Sequence, residues 1–172
     1  MQQRYNFALL STGHPERYIT AAQHHFQSVA DGYLLGNESL PHITLAQFRA
    51  FQDILPPLIE ALESAPKTIP VELIGLGFSN KAGTPLWGAS LTVARQESLL
   101  TLHQNVVDAL TQNGLIPLNS TGDLYRPHLT LARINQLRVE NFAKDIFEGD
   151  TFHLALGLSD ELGQFTRVLH RF

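Results

Sequence analysis

Two periods of apolar residues divide this chain. Arg4 to Leu10 reads as a buried strand closed by the turn signal Ser11-Thr12-Gly13. Pro15 suits a first helical position, and Tyr18, Ile19, Ala22, Phe26 and Val29 recur at helical spacing, which predicts a helix of about four turns. Gly32 to Ser39 reads as a loop, and Pro41 to Phe48 as a strand. Pro56-Pro57 then opens a short helix carrying Leu58, Ile59 and Leu62. Thr68 to Phe78 and Pro85 to Val93 read as strands joined by a hairpin turn over Ser79 to Thr84. Leu99, Leu102, Val106 and Leu110 mark an amphipathic helix that Gly114 can end in a left-handed conformation. Beyond it the pattern predicts a strand over Pro127 to Ile134 and a short helix over Val139 to Phe147. Two last strands, Thr151 to Leu158 and Gln164 to Phe172, flank a turn at Ser159 to Gly163.

This order passes twice through strand, helix, strand, short helix and strand, with one closing strand. The repetition is also written in residues. Pro41-His42-Ile43-Thr44-Leu45-Ala46 and Pro127-His128-Leu129-Thr130-Leu131-Ala132 agree at five of six positions, and their histidines lie 86 positions apart in a chain of 172. A repeat this long is two halves of one domain rather than a unit of a solenoid. The expected architecture is a single domain over residues 1–172, its two halves related by a pseudo-two-fold axis that brings the motif strands together over one cleft.

A strand sends residues i and i+2 to one face, so each motif presents an imidazole beside a hydroxyl. Two such pairs suit a phosphodiester. One imidazole removes a proton from a nucleophile while the other delivers one to the leaving oxygen, and only His titrates near neutrality without tuning. The hydroxyls of Thr44 and Thr130 can donate to phosphate oxygens as charge builds there. One positioned acid or base is worth about 10²- to 10⁴-fold in rate. A single His on an apolar strand is ordinarily a satisfied structural residue; two matched copies turn the balance toward catalysis.

Composition narrows the partners. With 44% hydrophobic residues the chain can bury a sizeable core, and without cysteine it has neither disulfides nor thiolate metal ligands. No apolar run reaches a secretory signal or a membrane span, so a soluble cytoplasmic protein without membrane partners is expected. A net charge of −4 argues against a broad surface for long nucleic acid. Local cation is available: Arg126 and Arg133 bracket the second motif, Arg138 follows, and Arg49 follows the first. Arg133 has Gln47 as its counterpart, which predicts an asymmetric cleft. Tyr125, Phe48 and Phe51 are candidates to stack on a base, with core packing the competing role for the phenylalanines. Gly75-Leu76-Gly77 lacks the third glycine and the helix of a dinucleotide fingerprint. The remaining histidines show no metal-ligand spacing, so neither cofactor nor metal is expected.

The His42-Ile43-Thr44-Leu45 and His128-Leu129-Thr130-Leu131 motifs resemble those of the 2H phosphoesterase superfamily. Arg126-Pro127-His128-Leu129-Thr130-Leu131-Ala132-Arg133 is most similar to its bacterial 2'-5' RNA ligase-like branch. The resemblance implies an α+β fold of two lobes, with mostly antiparallel sheets, helices outside and a central cleft lined by both motifs, and metal-free opening of a 2',3'-cyclic phosphate, on a nucleotide or an RNA end, to a 2'-phosphate. His42 and His128 would be the acid-base pair, and Thr44 and Thr130 would hold the phosphate. On that comparison His128 would activate water and His42 protonate the 3' oxygen, although the near-identical motifs give sequence no handle on direction. Arg126, Arg133, Tyr125 and Phe48 are the candidate substrate contacts. Two alternatives share the site: 2'-5' RNA ligation, with an RNA 5'-hydroxyl in place of water, and a nucleotide-binding module without turnover; a monomer is expected.

Overall fold

The computed structural model describes residues 1–36, 38–80, 83–137 and 141–172. The first half runs β1 (Gln3–Ser11), α1 (Pro15–Phe26), β2 (Ala30–Leu34), β3 (His42–Ala50), α2 (Leu55–Leu62) and β4 (Thr68–Val71). The second runs β5 (Leu73–Asn80), β6 (Trp87–Val93), α3 (Glu97–Gln112), β7 (His128–Ile134), β8 (Asp150–Ser159) and β9 (Phe165–Arg171). The motif strands are β3 and β7.

Every strand pair among the described residues is antiparallel, and the main path of the sheet is β4-β8-β1-β3-β7-β6-β5. The two lobes meet where β3 and β7 pair through Ile43 and Leu129 alone. That narrow junction lets the halves splay apart and leaves a cleft between them. Helices lie on one face of the sheet. Tyr18, Ala22 and Phe26 of α1 are buried, as are Leu99, Leu102, Val106 and Leu110 of α3. The helices are exchanged between lobes: α1 lies against β7 and β2, whereas α3 lies against β3 and β4.

Most expected elements form, and the departures have local causes. Gly32 to Ser39 reads as a loop, yet its start belongs to β2, which pairs with β7 and sets Leu34 opposite Ala132. Pairing with a strand a hundred residues away leaves no mark on local propensity. The expected strand over Thr68 to Phe78 is two: β4 pairs with β8 in one lobe and β5 with β6 in the other, so the chain changes lobe at Glu72. Helix α1 stops at Phe26, and Val29 is buried from the following turn. Of the helix expected over Val139 to Phe147, residues 139–140 lie outside the described residues, and the remainder forms only the 3-10 turn Lys144–Phe147. Residues 81–82 of the hairpin turn also lie outside them. Gly114 takes φ of 71° just past α3, the left-handed ending its sequence position called for. Among the described residues no helix is long and apolar enough to cross a membrane.

Candidate active site

The pairing register makes the two motifs equivalent in space. Leu10 lies opposite His42 and Ala8 opposite Thr44; Thr92 lies opposite His128 and Ser90 opposite Thr130. In each ladder the next pair skips a residue, joining Phe7 to Ala46 and Ala89 to Ala132, so Leu45 and Leu131 are matching β-bulges. A bulge resets the alternation of side chains. Hence Gln47 and Arg133, five residues after each histidine, line the same cleft of about 460 Å³ as His42, Thr44, His128 and Thr130. Ile43, Leu45, Leu129 and Leu131 are fully buried on the opposite face.

Each bulge leaves a backbone carbonyl to satisfy, and the lobes do so differently. The Leu131 carbonyl accepts from the backbone N–H of Leu35 at 2.8 Å. That of Leu45 accepts from His103 Nδ1 at 3.0 Å and Asn119 Nδ2 at 3.2 Å, while Asn119 Oδ1 accepts from the Gln47 N–H at 2.7 Å. Asn119 thus does for β3 with one side chain what β2 does for β7. The carbonyls of the motif threonines are held in matched fashion: Tyr125 donates to Thr44 O at 2.9 Å and Tyr33 to Thr130 O at 3.4 Å.

Both imidazoles are fixed by the same bond. Nδ1 of His42 donates to the Leu40 carbonyl at 2.7 Å and Nδ1 of His128 to the Arg126 carbonyl at 2.8 Å. A carbonyl can only accept, so Nδ1 carries hydrogen in each ring and Nε2 is left for chemistry. Their surroundings differ. His42 is 7% exposed and packs 5.6 Å from the Phe165 ring, whereas His128 is exposed. Burial lowers the His42 pKa to about 4; the Leu40 carbonyl opposes this, the neighbouring His128 adds to it, and the Gly163 carbonyl and Asp160 oppose it further. His42 is therefore neutral at pH 7.

The hydroxyls differ as well. Thr44 Oγ1 accepts from Nδ2 of the fully buried Asn6 at 3.1 Å. In the second lobe the register puts Gly88 where Asn6 stands in the first, because Asn6 lies opposite Gln47 and Gly88 opposite Arg133. One rim of the cleft is the turn between β8 and β9. Asp160 Oδ1 accepts from the N–H groups of Leu162 and Gln164 at 2.9 and 2.8 Å, and Gly163 turns with φ of 87°. A side chain at 163 would meet Gln47 Nε2 at 3.1 Å, where the Gln47 amide now donates to the Gly163 carbonyl at 3.2 Å. Arg4 spans this rim, donating to Gln47 Oε1 at 2.5 Å and to the Glu161 carbonyl at 3.0 Å. From the other lobe Arg133 donates to the Leu162 carbonyl at 2.7 Å.

Of the residues singled out by sequence, His42, Thr44, His128, Thr130 and Arg133 converge on the cleft. Phe48 does not: it is fully buried against Tyr5 and Phe7, with ring centroids at 5.5 and 5.6 Å. The bulge at Leu45 turned it to the core. Tyr125 does not either; it is 3% exposed and stacks on His103 at 3.8 Å and 3° between planes, so its ring is taken and its hydroxyl holds the motif. Burial raises its pKa, and burial likewise lowers that of His103. Arg126 is exposed outside the cleft lining and bonds the Asp123 and Tyr125 carbonyls. Arg49 pairs with Glu161 at 2.6 Å, and Phe51 is exposed beyond the end of β3. Arg138 lies outside the described residues. Arg4, Asn6 and Asn119 carried no signal in sequence, being polar residues whose partners are far along the chain. Among the described residues no three His, Asp or Glu side chains converge as a metal site would need.

No sequence-family model and no curated protein sequence matches the chain. Solved structures do, over nearly its whole length, and they show an α+β fold shared with E. coli LigT and with a phosphoesterase. E. coli LigT in apo form superposes with a TM-score of 0.68 at 15% identity, covering 99% of this chain and 96% of that one. A protein solved as a phosphoesterase gives 0.67 at 17% identity, covering 100% and 98%. The MHV ns2 PDE domain gives 0.54 at 14% identity, covering 91% and 97%.

Proposed function

We propose that the chain is a metal-independent phosphodiesterase that opens the 2',3'-cyclic phosphate of a nucleotide or RNA end to a 2'-phosphate. The observation that carries this reading is the matched pair of His–Thr units on one cleft, each imidazole holding Nδ1 on a carbonyl two residues back and keeping Nε2 for the substrate. Binding alone has no use for two oriented titratable rings. E. coli LigT, which shares the fold, has been solved with phosphate and with 3'-AMP.

Burial supports a direction of proton transfer opposite to the one that the resemblance implies. A group with a pKa of about 4 is protonated in only about one molecule in a thousand at pH 7, a poor general acid and a ready base. His42 Nε2 takes a proton from water as the water oxygen bonds to phosphorus. The bond from phosphorus to O3' breaks, and His128 Nε2 gives its proton to O3'. The exposed His128 is reprotonated from solvent and His42 returns its proton there, so one water is consumed and a 2'-phosphate with a free 3'-hydroxyl is formed. Thr44 and Thr130 donate to the non-bridging oxygens, whose charge grows in the transition state. Arg133 adds a cation at the rim.

The test is incubation with the four nucleoside 2',3'-cyclic monophosphates, and with an RNA oligomer ending in a cyclic phosphate, all in excess EDTA. Conversion to 2'-phosphates is expected. Release of 3'-phosphates, strict dependence on divalent metal, or no conversion of any of these substrates would sink the proposal. Joining of the oligomer to an added 5'-hydroxyl RNA in place of hydrolysis would establish the ligase reading instead.

A further inference from the structure

We infer that Asn6 is a positioning residue: by donating to Thr44 Oγ1 it turns that hydroxyl into a fixed donor for the phosphate. The inference rests on the proposed reading, in which Thr44 holds a phosphate oxygen.

Asn6 is a poor choice for the place it occupies. It sits in the middle of β1, between β3 and β8, opposite Gln47 on one side and Gly157 on the other, and is fully buried. Its amide nitrogen donates to Thr44 Oγ1 at 3.1 Å, while its carbonyl oxygen is buried with no partner. An orphaned buried carbonyl lowers stability, so packing does not account for the residue. Its one bond does. A threonine hydroxyl has a single hydrogen; when the oxygen accepts from behind, the hydrogen is free to point away, toward the cleft that Thr44 lines. A hydroxyl already aimed loses no rotational freedom on binding and cannot turn its lone pair toward an anionic oxygen.

The second lobe is the internal comparison. Gly88 stands at the equivalent place, with no side chain to aim Thr130. The cradle is thus asymmetric in its hydroxyls as well as in its imidazoles, and the aimed hydroxyl is the one beside the buried His42. Only the first lobe presents a rigid donor next to the base.

The experiment is a double-mutant cycle on Asn6→Leu, Thr44→Val and the pair, with two readouts: kcat/KM on a nucleoside 2',3'-cyclic phosphate, and the affinity for inorganic phosphate by calorimetry. Leucine keeps the branched shape and the number of heavy atoms and removes both the donor and the orphaned carbonyl. Asn6→Leu is expected to melt no lower than wild type while losing about 10- to 100-fold in kcat/KM and binding phosphate more weakly. In the double variant Asn6→Leu should cost nothing beyond Thr44→Val, because it acts only through that hydroxyl. Losses that multiply, unchanged kcat/KM and phosphate affinity in Asn6→Leu, or a fallen Tm that accounts for its loss would overturn the inference. If wild type turns over no cyclic phosphate, the proposed reaction fails, but the same cycle read in phosphate affinity still decides the role of Asn6. A wild type that binds no phosphate overturns both.

Discussion

The two motifs share five of six residues, their register, their bulge and their Nδ1 anchor, yet they place chemically different imidazoles on the cleft. In the first lobe β9 folds back along β8, and Phe165 closes over Ala8, Leu10 and His42. In the second, nothing equivalent among the described residues covers His128, which is exposed. Geometry was duplicated with the sequence; electrostatics was decided by what lies on top. A near-symmetric fold thereby presents a buried, neutral ring on one side of the cleft and an exposed ring on the other.

The comparison breaks most sharply if either ring proves dispensable. His42→Ala and His128→Ala should each lower kcat/KM by about 10²- to 10⁴-fold, followed as 2'-phosphate release. The pH profile is the finer test: with His42 as base, kcat/KM should climb as pH rises through about 4, and His42→Ala should lose that limb.

Stability gives the next test. Between pH 6.5 and about 4 the unfolded chain binds a proton at His42 that the folded chain refuses, so stability from this group is present above that window and falls away as pH drops through it. The loss approaches ~3 kcal/mol. Denaturant unfolding of wild type and His42→Phe across this range should show the slope in the first and a flatter curve in the second. Phe165→Leu, which loosens the cover, should raise the His42 pKa in an NMR titration.

A smaller effect concerns how the bulges are held. Asn119→Ala strips the Gln47 N–H of its acceptor and the Leu45 carbonyl of one donor, at a cost of about 1–3 kcal/mol in unfolding free energy. No single side-chain change can do the same in the second lobe, where backbone holds Leu131. The least effect is expected from Arg133→Gln, which copies the first motif into the second. It should weaken phosphate binding a few-fold at low ionic strength and less as salt is raised.

The chain's own pattern determined a good deal: the order of most elements, the duplication, and the four residues His42, Thr44, His128 and Thr130 that meet on one cleft. Period-two alternation and a repeated hexapeptide are local signals, and strand geometry alone puts each His beside its Thr. Tertiary structure decided the rest. Strand β2 exists because β7 offers it an edge, and Phe48 and Tyr125 went to the core because bulges and stacking partners redirected them. Asn6, Arg4 and Asn119 reached the site by pairing across 38, 43 and 72 positions of chain. Above all, which imidazole is neutral depends on desolvation. That is a property of everything packed around a ring, and no short stretch of sequence around it contains that information.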